Sequence, residues 1–388
     1  MNERTRIQLS RYQGANFSSA ANDQLPISFE EWKERARLIL AKAPFDYIEG
    51  GAGSEDTIAA NEKAFKCWRI RPRMMIDVSH RNLSVSMFNH TFPSPILLAP
   101  IGAQSIFHVQ AELASAKAAA STKTPFIVSY VSSYTIEEIA AEMGDAVRWF
   151  QLYIGRDWDV TASLLHRAEK AGYSAIVVTV DLPLYGWRER DYRNAYFPYS
   201  QGIGLSNYTS DPVFMFKLSK IPGGNPQDMI ALFFRNLLNP SLTWKDLASL
   251  RKLTNLPILL KGILHPEDAK LALNYGADGI IVSNHGGRQV DGAVAALDAL
   301  PEIYHAVQGQ VPVLMDSGIR RGADVIKALS LGAAAVLIGR PYVYGLAAAG
   351  EKGVRRVIKN LISDLDLTMA NIGKRTTREL HQYDLVKQ

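Results

Sequence analysis

The chain has 388 residues, of which 47% are apolar and 21% are charged, the composition of an ordinary globular protein. Its formal net charge of +5 comes from scattered lysines and arginines without a long run of like charges, which argues against a nucleic-acid partner and is compatible with small anionic substrates. A single cysteine, Cys67, excludes an internal disulfide, and no apolar span is long enough for a transmembrane helix, so we expect a cytoplasmic protein without a membrane partner.

Residues 1–94 are expected to form an N-terminal extension, partly helical. Its first part, residues 1–26, is polar and aperiodic and can serve as an arm that wraps the domain or a partner. From Ser28 to Ala43 the pattern predicts a helix, because Ser28 and Glu31 form a capping-box pair ahead of an apolar stripe. Tyr47 precedes a glycine-rich turn, and it is either a packed aromatic residue or a phenol that donates a hydrogen bond into a site.

From Pro95 onward one pattern repeats eight times: a short apolar strand, a polar or small residue at its end, and an amphipathic helix. The first strand–helix turn carries no G-x-G-x-x-G fingerprint, so the repeat favours a closed (β/α)8 TIM barrel of the α/β class over an open doubly wound sheet. We therefore expect a single domain over residues 1–388. The predicted strands are Pro95–Pro100, Phe126–Tyr130, Arg148–Tyr153, Ala175–Asp181, Pro257–Gly262, Gly279–Asn284, Val313–Ser317 and Ala335–Gly339.

The fourth unit of the repeat is interrupted by residues 197–241, which are glycine-rich at first and contain an apolar run at Met229–Leu238. A loop of this length inside a compact domain is usually a lid, a binding loop or a disordered segment. We interpret this insertion as a lid over the face of the barrel where the strands end.

The sixth strand leads into the stretch most suggestive of chemistry, SNHGGRQ from Ser283. Its two glycines allow a tight turn and close approach to a ligand, and they place a base, His285, three residues from a planar cation, Arg288. Taken alone, this motif is equally compatible with an ordinary glycine turn followed by a solvated arginine. In a barrel, however, all strand ends share one face, and the other predicted strands also end in polar residues or glycine.

Two later loops predict a phosphate site. The segments DSGIRRG from Asp316 and GRP from Gly339 each open a helix, and free backbone N–H groups at helix starts bind phosphate, especially beside an arginine. The loops after the seventh and eighth strands are also the usual phosphate site of this barrel. Two well-capped helices with surface arginines remain the alternative.

Lys261, at the end of the fifth strand, has two interpretations. It can be a Schiff-base nucleophile, as in an aldolase, or an ammonium group that stabilises a cofactor which becomes negatively charged during turnover.

At these residues the chain resembles the FMN-dependent L-2-hydroxy acid oxidising family. The resemblance covers about Ser28 to Met369 and rests on SNHGGRQ, LKG, DSGIRRG and IGRP in order at the right spacing. The segments DYIEGGAG, APIG, FQLY, GWRERD and NYTSDPVF are most similar to the lactate 2-monooxygenase branch, as is the long insertion.

The resemblance implies a role for each matching residue. His285 would be the base that takes the substrate proton, and Asp181 would orient it. Arg188 and Arg288 would bind the substrate carboxylate in bidentate fashion, with Tyr47 and Tyr153 at the carboxylate and the 2-hydroxyl, and Lys261 would lie at the N1/O2 edge of the flavin. The FMN-binding positions would be Pro100, Ile101, Gly102, Ser129, Gln151, Tyr153, Thr179, Lys261, Ser283, Asp316, Ser317, Gly318, Ile319, Arg320, Gly339 and Arg340. No metal site is expected.

Some positions depart from the glycolate-oxidase pattern, among them Gly102, Val131, Leu184 and Tyr185, and they favour lactate over glycolate as the substrate. The resemblance therefore implies oxidation of L-lactate with O2, as a lactate 2-monooxygenase that yields acetate, CO2 and water. The alternatives are an L-lactate oxidase that releases pyruvate and H2O2, and a dehydrogenase that passes electrons to another acceptor. Family members are commonly tetramers, so a homo-oligomer of four or more copies is expected.

Overall fold

Eight apolar runs form parallel strands that close into a barrel, in a computed structural model that describes residues 25–222 and 225–388. The (β/α)8 prediction is thus confirmed, with all eight predicted strands present. Seven are shorter than predicted by one to a few residues, and β8 has the predicted length but is shifted by one residue. Most of the proposed N-terminal arm lies outside the described residues. The barrel strands, in the order in which they pair around it, are β4 (Ile96–Leu98), β5 (Phe126–Val128), β6 (Arg148–Leu152), β7 (Ile176–Thr179), β8 (Ile258–Ile263), β9 (Gly279–Val282), β10 (Val313–Met315) and β11 (Ala335–Ile338).

The N-terminal extension begins with a helix that the sequence predicted too long. Ser28 caps helix α1 (Phe29–Ile39), and the capping box with Glu31 is present. The chain then leaves the helix at Leu40, whose backbone is extended, and a second helix α2 (Lys42–Glu49) carries Tyr47. Helix α3 (Asp56–Lys66), strand β1 (Trp68–Ile70) and the hairpin β2 (Val85–Met87) and β3 (His90–Phe92) complete the extension.

Alternate side chains on the barrel strands fill its interior. Ile127, Trp149 and Leu314 are fully buried there together with Phe92, which comes from the β3 strand of the hairpin. Each large apolar side chain removed from water in this way contributes about 1.5–3 kcal/mol. The opposite faces of the strands pack against the surrounding helices in a second, larger core, so the strand ends are held by packing on both sides.

The helices between the strands follow the predicted pattern. They are α4 (Ala111–Thr122), α5 (Ile136–Met143), α6 (Trp158–Lys170), α11 (Trp244–Arg251), α12 (Pro266–Asn274), α13 (Ala296–Val307), α14 (Gly322–Ser330) and α15 (Arg340–Asn371), with the short α7 to α10 between β7 and α11. Gly172, Gly276 and Gly332 have φ values of 75°, 82° and 111°, the left-handed conformation that ends a helix. Helix α15 is interrupted at Ala349 and Gly350, and strand β12 (Leu385–Lys387) pairs antiparallel with β1.

The insertion between β7 and α11 is more ordered than its glycine content suggested. It contains helices α8 (Ser206–Thr209), α9 (Pro212–Leu218) and α10 (Pro226–Leu237), preceded by α7 (Glu189–Arg193) and a 3-10 turn, Pro198–Gln201. Its core is a cluster in which the Tyr208 ring lies 4.9 Å from both Phe214 and Phe233. Within the described ranges no helix has the length and apolar character needed to cross a membrane.

Candidate active site

The loop after β9 turns His285 into a cavity at the strand ends. His285, Gly286 and Gly287 all adopt positive φ, at 58°, 66° and 79°, so three consecutive left-handed residues reverse the chain within one turn. The Ser283 hydroxyl accepts hydrogen bonds from the His285 backbone N–H at 3.0 Å and from the Lys261 ammonium at 2.9 Å. Ser283 therefore ties the His285 loop to the neighbouring strand.

His285 is paired with a buried carboxylate. Its Nδ1 lies 2.8 Å from Asp181 Oδ1, which assigns the proton to Nδ1 and leaves Nε2 with a lone pair. Burial, together with the positive charge of Lys261, lowers the pKa of His285, although Asp181 opposes this shift. Burial acts to raise the pKa of Asp181, but its interactions with His285 and with the Lys261 cation outweigh burial, and the pKa falls. The pair is a neutral imidazole held by an anion, the arrangement of a general base.

This electrostatic arrangement predicts the pH dependence of substrate oxidation. Because the pKa of His285 is lowered from 6.5, the neutral base persists below pH 6.5, and kcat/KM is expected to stay constant from neutral pH down through that value before it falls. Asp181 acts to raise this pKa, so Asp181→Asn should move the acid limb to still lower pH while reducing the rate by about 10²-fold or more. Measurement of kcat/KM from about pH 5 to pH 8 checks both effects.

The exposed Asp298, which lies outside the cavity lining, provides a matched control, and Asp298→Asn should leave the profile unchanged. An acid limb that lies above pH 6.5 in the unmodified protein, or moves upward in Asp181→Asn, would contradict this assignment of the base.

Two arginines, one buried and one partly buried, lie in the same cavity. Arg188 is 6% exposed and donates from Nε to the Arg288 carbonyl at 3.1 Å and from Nη2 to the Gln289 side chain at 3.0 Å. Arg288 donates from Nη1 to the carbonyls of Tyr47 and Gly50 at 2.6 and 2.8 Å. Burial and the nearby Arg188 lower the pKa of Arg288 to about 10. These two adjacent cations have N–H groups to spare and are suited to an anionic ligand.

Gln289, which the sequence interpretation did not single out, holds the two arginine-bearing loops together. Its side-chain amide donates to the backbone carbonyls of Asp181 and Leu184 at 2.9 and 3.0 Å, while its oxygen accepts from Arg188. Its position at the end of the SNHGGRQ motif was the one feature of the sequence that could have identified Gln289 as a site residue. The structure shows the reason: one amide fixes both the loop that starts at Asp181 and the guanidinium of Arg188.

We expect Gln289→Ala to raise KM for a carboxylate substrate by about tenfold, the cost of one lost hydrogen bond to a charged group. The effect on kcat should be small, because His285 and Lys261 keep their own partners. Steady-state kinetics separates the two constants, with Gln310→Ala, at an exposed position, as the control. A change in kcat without a change in KM would show that Gln289 does not act through Arg188.

The His285 loop is also anchored to the N-terminal extension. Asn284 and Asn61 of helix α3 form a reciprocal amide pair with distances of 2.8 and 2.9 Å, and both residues are buried. Because a buried amide left without a partner costs about 1–3 kcal/mol, this pair fixes the extension against the strand ends. The extension is therefore part of the site, and its residue Tyr47 lines the same cavity.

Lys261 is buried between two carboxylates. Its Nζ lies 3.3 Å from Asp316, and although burial opposes the charged form, Asp316 and Asp181 raise its pKa. A Schiff-base lysine needs a lowered pKa to be nucleophilic. The geometry thus favours the second interpretation, a permanent cation inside the cavity.

The loops after β4 and β5 form another wall of the cavity, which includes Ile101 and Ser129. The Ser129 hydroxyl lies 3.3 Å from Gln151 Oε1, while the Gln151 Nε2 atom is buried without a hydrogen-bond partner among the described residues. A buried amide donor left free in this way fits a carbonyl or ring nitrogen of a bound cofactor, as FMN would supply. Burial also raises the pKa of Tyr153, so its phenol remains a donor.

The part of the cavity predicted to bind phosphate, formed by the loops after β10 and β11, also contains a donor without a partner among the described residues. The Arg320 Nε is buried without a partner in the described part of the chain, and the pKa of Arg320 is lowered by burial and by the charge of Arg340. Arg340 itself spends most of its N–H groups on backbone carbonyls, including Ile48 at 2.9 Å and Gly286 at 3.0 Å. Two close, partly buried guanidiniums, one with a buried free donor, fit a phosphate group.

The cavity collects most of the predicted site residues. It is lined by Tyr47, Pro100, Ile101, Gly102, Ser129, Tyr153, Arg188, Lys261, His285, Arg288, Asp316, Ser317, Gly318, Ile319, Arg320, Gly339 and Arg340. Four predicted residues do not line it: Asp181, Gln151 and Ser283 lie behind lining residues and contact them, whereas Thr179 lines a neighbouring cavity. In the described residues no group of histidine, cysteine or carboxylate side chains is arranged to hold a metal ion.

The positions that depart from the glycolate-oxidase pattern divide between cavity and surface. Val131 and Tyr185 line the cavity, whereas Leu184 is 59% exposed. A Cβ at Gly102 would lie 2.6 Å from the Val131 carbonyl oxygen, so glycine is required here by the close approach of the Val131 loop as well as by space in the cavity. The insertion adds Tyr199 and Leu237 to the lining, and the hydroxyls of Tyr199 and Tyr47 lie 3.3 Å apart.

Comparison with known proteins points the same way over the whole chain. The sequence profile of the family described as FMN-dependent dehydrogenase matches residues 36–387. An L-lactate oxidase of Lysinibacillus sphaericus (strain C3-41) is 45% identical over 367 residues, which cover 95% of this chain and 94% of that protein. The peroxisomal (S)-2-hydroxyacid oxidase GLO4 of Arabidopsis thaliana is 44% identical over 90% of this chain and 93% of its own length.

Solved structures with the same architecture include a mandelate oxidase and a chimera of (S)-mandelate dehydrogenase. The mandelate oxidase is 38% identical with a TM-score of 0.82, covering 94% of this chain and 98% of that one. The chimera is 35% identical with a TM-score of 0.86, covering 93% and 99%.

Proposed function

Because the chain belongs to the FMN-dependent dehydrogenase family, we propose that it oxidises L-lactate at FMN with O2 as the electron acceptor, as a lactate 2-monooxygenase. The coarser activity, FMN-dependent oxidation of a 2-hydroxy acid, is common to the family and to its oxidase relatives. The observation that carries the proposal is one cavity in which the His285–Asp181 pair, at 2.8 Å, shares its walls with Arg188, Arg288 and Lys261.

Each side chain of this group has a part in the proposed reaction. Arg188 and Arg288 bind the carboxylate and thereby orient the α-carbon so that its single hydrogen faces the cofactor in the L enantiomer. His285 Nε2 takes the proton as the substrate becomes a 2-keto acid, and Asp181 stabilises the imidazolium that results. The Tyr153 phenol, kept protonated by burial, donates to the oxygen on the α-carbon.

FMN, when bound, supplies the acceptor for the two electrons that leave the α-carbon. Lys261, whose charge is maintained by Asp316, would lie at the ring edge where negative charge develops. Gln151 would donate to the ring, and Arg320 with Arg340 would hold the phosphate, assisted by the backbone of residues 316–319 and 339.

The monooxygenase outcome requires that the keto acid stay bound until peroxide reacts with it. In that case L-lactate and O2 give acetate, CO2 and water, whereas early release gives pyruvate and H2O2. Retention is supported by the insertion, which places Tyr199 and Leu237 in the cavity wall beside the Tyr47 phenol. The oxidase outcome is favoured by a different observation, the 45% identity to a protein named L-lactate oxidase.

One experiment tests the cofactor and the substrate, and a second tests the outcome. The purified protein should show a flavin absorption spectrum that bleaches on anaerobic addition of L-lactate and not of D-lactate. During aerobic turnover, acetate should match the lactate consumed, and free H2O2 should be low. Stoichiometric H2O2 would assign the oxidase outcome, and sluggish reoxidation by air would assign a dehydrogenase with another acceptor.

We also propose that the chain forms a homo-oligomer of four or more copies. Met74 and Met75, on the segment that follows β1, are 64% and 101% exposed. Two adjacent large apolar side chains exposed in this way are suited to burial against another copy of the chain. Light scattering coupled to gel filtration measures the mass. A cytoplasmic location stays a prediction.

A further inference from the structure

A second cavity, here called the side cavity, lies next to the candidate active site between strands β7 and β8 and helix α11. Its volume is about 460 Å³. Most of its lining residues are apolar. Asp268 is the one charged residue in the lining, and Tyr153, Thr179, Asn239 and Thr243 are the other polar ones. The lining residues are Tyr153, Ile154, Val178, Thr179, Val180, Leu182, Pro183, Leu237, Asn239, Leu242, Thr243, Trp244, Leu247, Leu260, Gly262, Ile263 and Asp268.

The side cavity lies between the protein surface and the active-site cavity and shares part of its wall with the active-site cavity. At one end Pro183 and Thr243 are exposed. At the other end Tyr153, Leu182 and Leu237 also line the active-site cavity. Neither Arg188 nor Arg288 lines the side cavity. A route through this shared wall would reach the strand ends without passing the carboxylate-binding arginines.

The chemistry of the lining decides which molecule can use this approach. The side cavity offers no cation to a 2-hydroxy acid, and the carboxylate of Asp268 in its wall repels an anion. Apolar cavities in proteins accept small uncharged molecules such as xenon. Of the two proposed substrates, an anionic acid and O2, only O2 is small, uncharged and apolar.

Resting on the proposed function, we infer that the side cavity is the route by which O2 reaches the reduced flavin while a keto acid occupies the arginine side of the active site. There O2 would take two electrons and one proton from the reduced flavin and a second proton from the His285 imidazolium or from water, which gives H2O2 and oxidised flavin. A product held by Arg188 and Arg288 blocks the other approach. A separate apolar route lets reoxidation proceed before that product leaves, as the monooxygenase outcome requires.

The test plugs the side cavity at two positions. Leu242→Trp fills the outer part, and Leu247→Phe fills the inner wall at the buried face of α11. Leu253→Trp is the matched control, because Leu253 is 40% exposed and outside the lining. The FMN-bound enzyme is reduced by light rather than by substrate, so that the measurement does not depend on the identity of the 2-hydroxy acid. Stopped-flow mixing with O2 then gives the reoxidation rate constant with and without pyruvate.

With pyruvate bound, both cavity variants should lower the rate constant for O2 by about tenfold, as expected when a diffusional route is obstructed. The control should be unchanged, and all variants should be reduced by L-lactate at the normal rate. Crystals under xenon pressure provide a reading independent of catalysis: xenon should occupy the side cavity of the unmodified protein and be lost from the variants.

Three results would overturn the inference. The first is an unchanged O2 rate constant in both variants, and the second is an absence of xenon from the side cavity. The third is a raised KM for L-2-hydroxyhexanoate with unchanged O2 reactivity, which would show that the cavity holds substrate side chains instead. Failure of L-lactate to reduce the unmodified enzyme would contradict the proposed function alone, because light reduction and xenon binding still decide the route of O2.

Discussion

Replacing His285 with glutamine is expected to slow flavin reduction by L-lactate by about 10⁴-fold, the upper range for loss of a general base. The expectation rests on geometry: Nδ1 is engaged with Asp181 at 2.8 Å, so Nε2 is the only basic atom that this ring presents to the cavity. Glutamine keeps a polar side chain but cannot accept the proton. Anaerobic stopped-flow absorbance measures the reduction step directly.

A second substitution guards against a folding defect. His285 adopts a φ of 58°, a conformation that asparagine tolerates better than most residues, so His285→Asn should keep the loop and lose the base. Both variants should retain the flavin spectrum, and His305→Gln, at an exposed position, should behave like the unmodified enzyme. Rapid reduction of a folded, flavin-bound His285→Asn would show that another group is the base.

Much of this site could be predicted from the sequence because a barrel converts chain order into spatial order. Apolar runs such as Gly279–Val282 identify strands, and closure of the barrel brings their ends to one face. Residues as distant as Asp181 and His285 could therefore be expected to meet. The predicted strand positions of Lys261 and Asp316 placed them at the same face, two strands apart around the barrel, for the same reason.

The parts that sequence reasoning missed depend on loop geometry rather than on strand order. Gln289 reaches the Asp181 carbonyl and the Arg188 guanidinium at once, which no spacing rule describes. Tyr199 enters the cavity from an insertion that was expected to be irregular. That insertion is ordered by aromatic packing around Tyr208, and the composition of a glycine-rich segment does not reveal which of its rings will cluster. Thr179 lies at the predicted strand end but lines the side cavity.

The substrate carboxylate also explains why two cations lie side by side in the cavity. Burial and mutual repulsion disfavour the charged form of Arg288, whose pKa falls to about 10, and this cost is relieved when an anion binds between the two groups. The pair is thus complementary to an anionic acid rather than to the folded protein alone. It should discriminate strongly between a carboxylate and a neutral analogue of the same shape.

Arg188→Lys is accordingly expected to lower kcat/KM for L-lactate by about 10³-fold, or about 4 kcal/mol, the range for loss of a buried charged hydrogen-bond partner. Lysine keeps the charge but cannot bridge the Arg288 carbonyl, the Gln289 amide and a substrate carboxylate at once, since it lacks the planar fork. A more specific measurement is the ratio of kcat/KM for L-lactate to kcat/KM for L-lactamide. This ratio should fall in the variant, because the neutral amide of lactamide interacts only weakly with the bidentate guanidinium of Arg188. Arg193→Lys, in the same segment but 71% exposed at its side chain, is the matched control. If Arg188→Lys lowered both substrates equally, Arg188 would support the loop and not the carboxylate, and the orientation of substrate proposed above would have to rest on Arg288 alone.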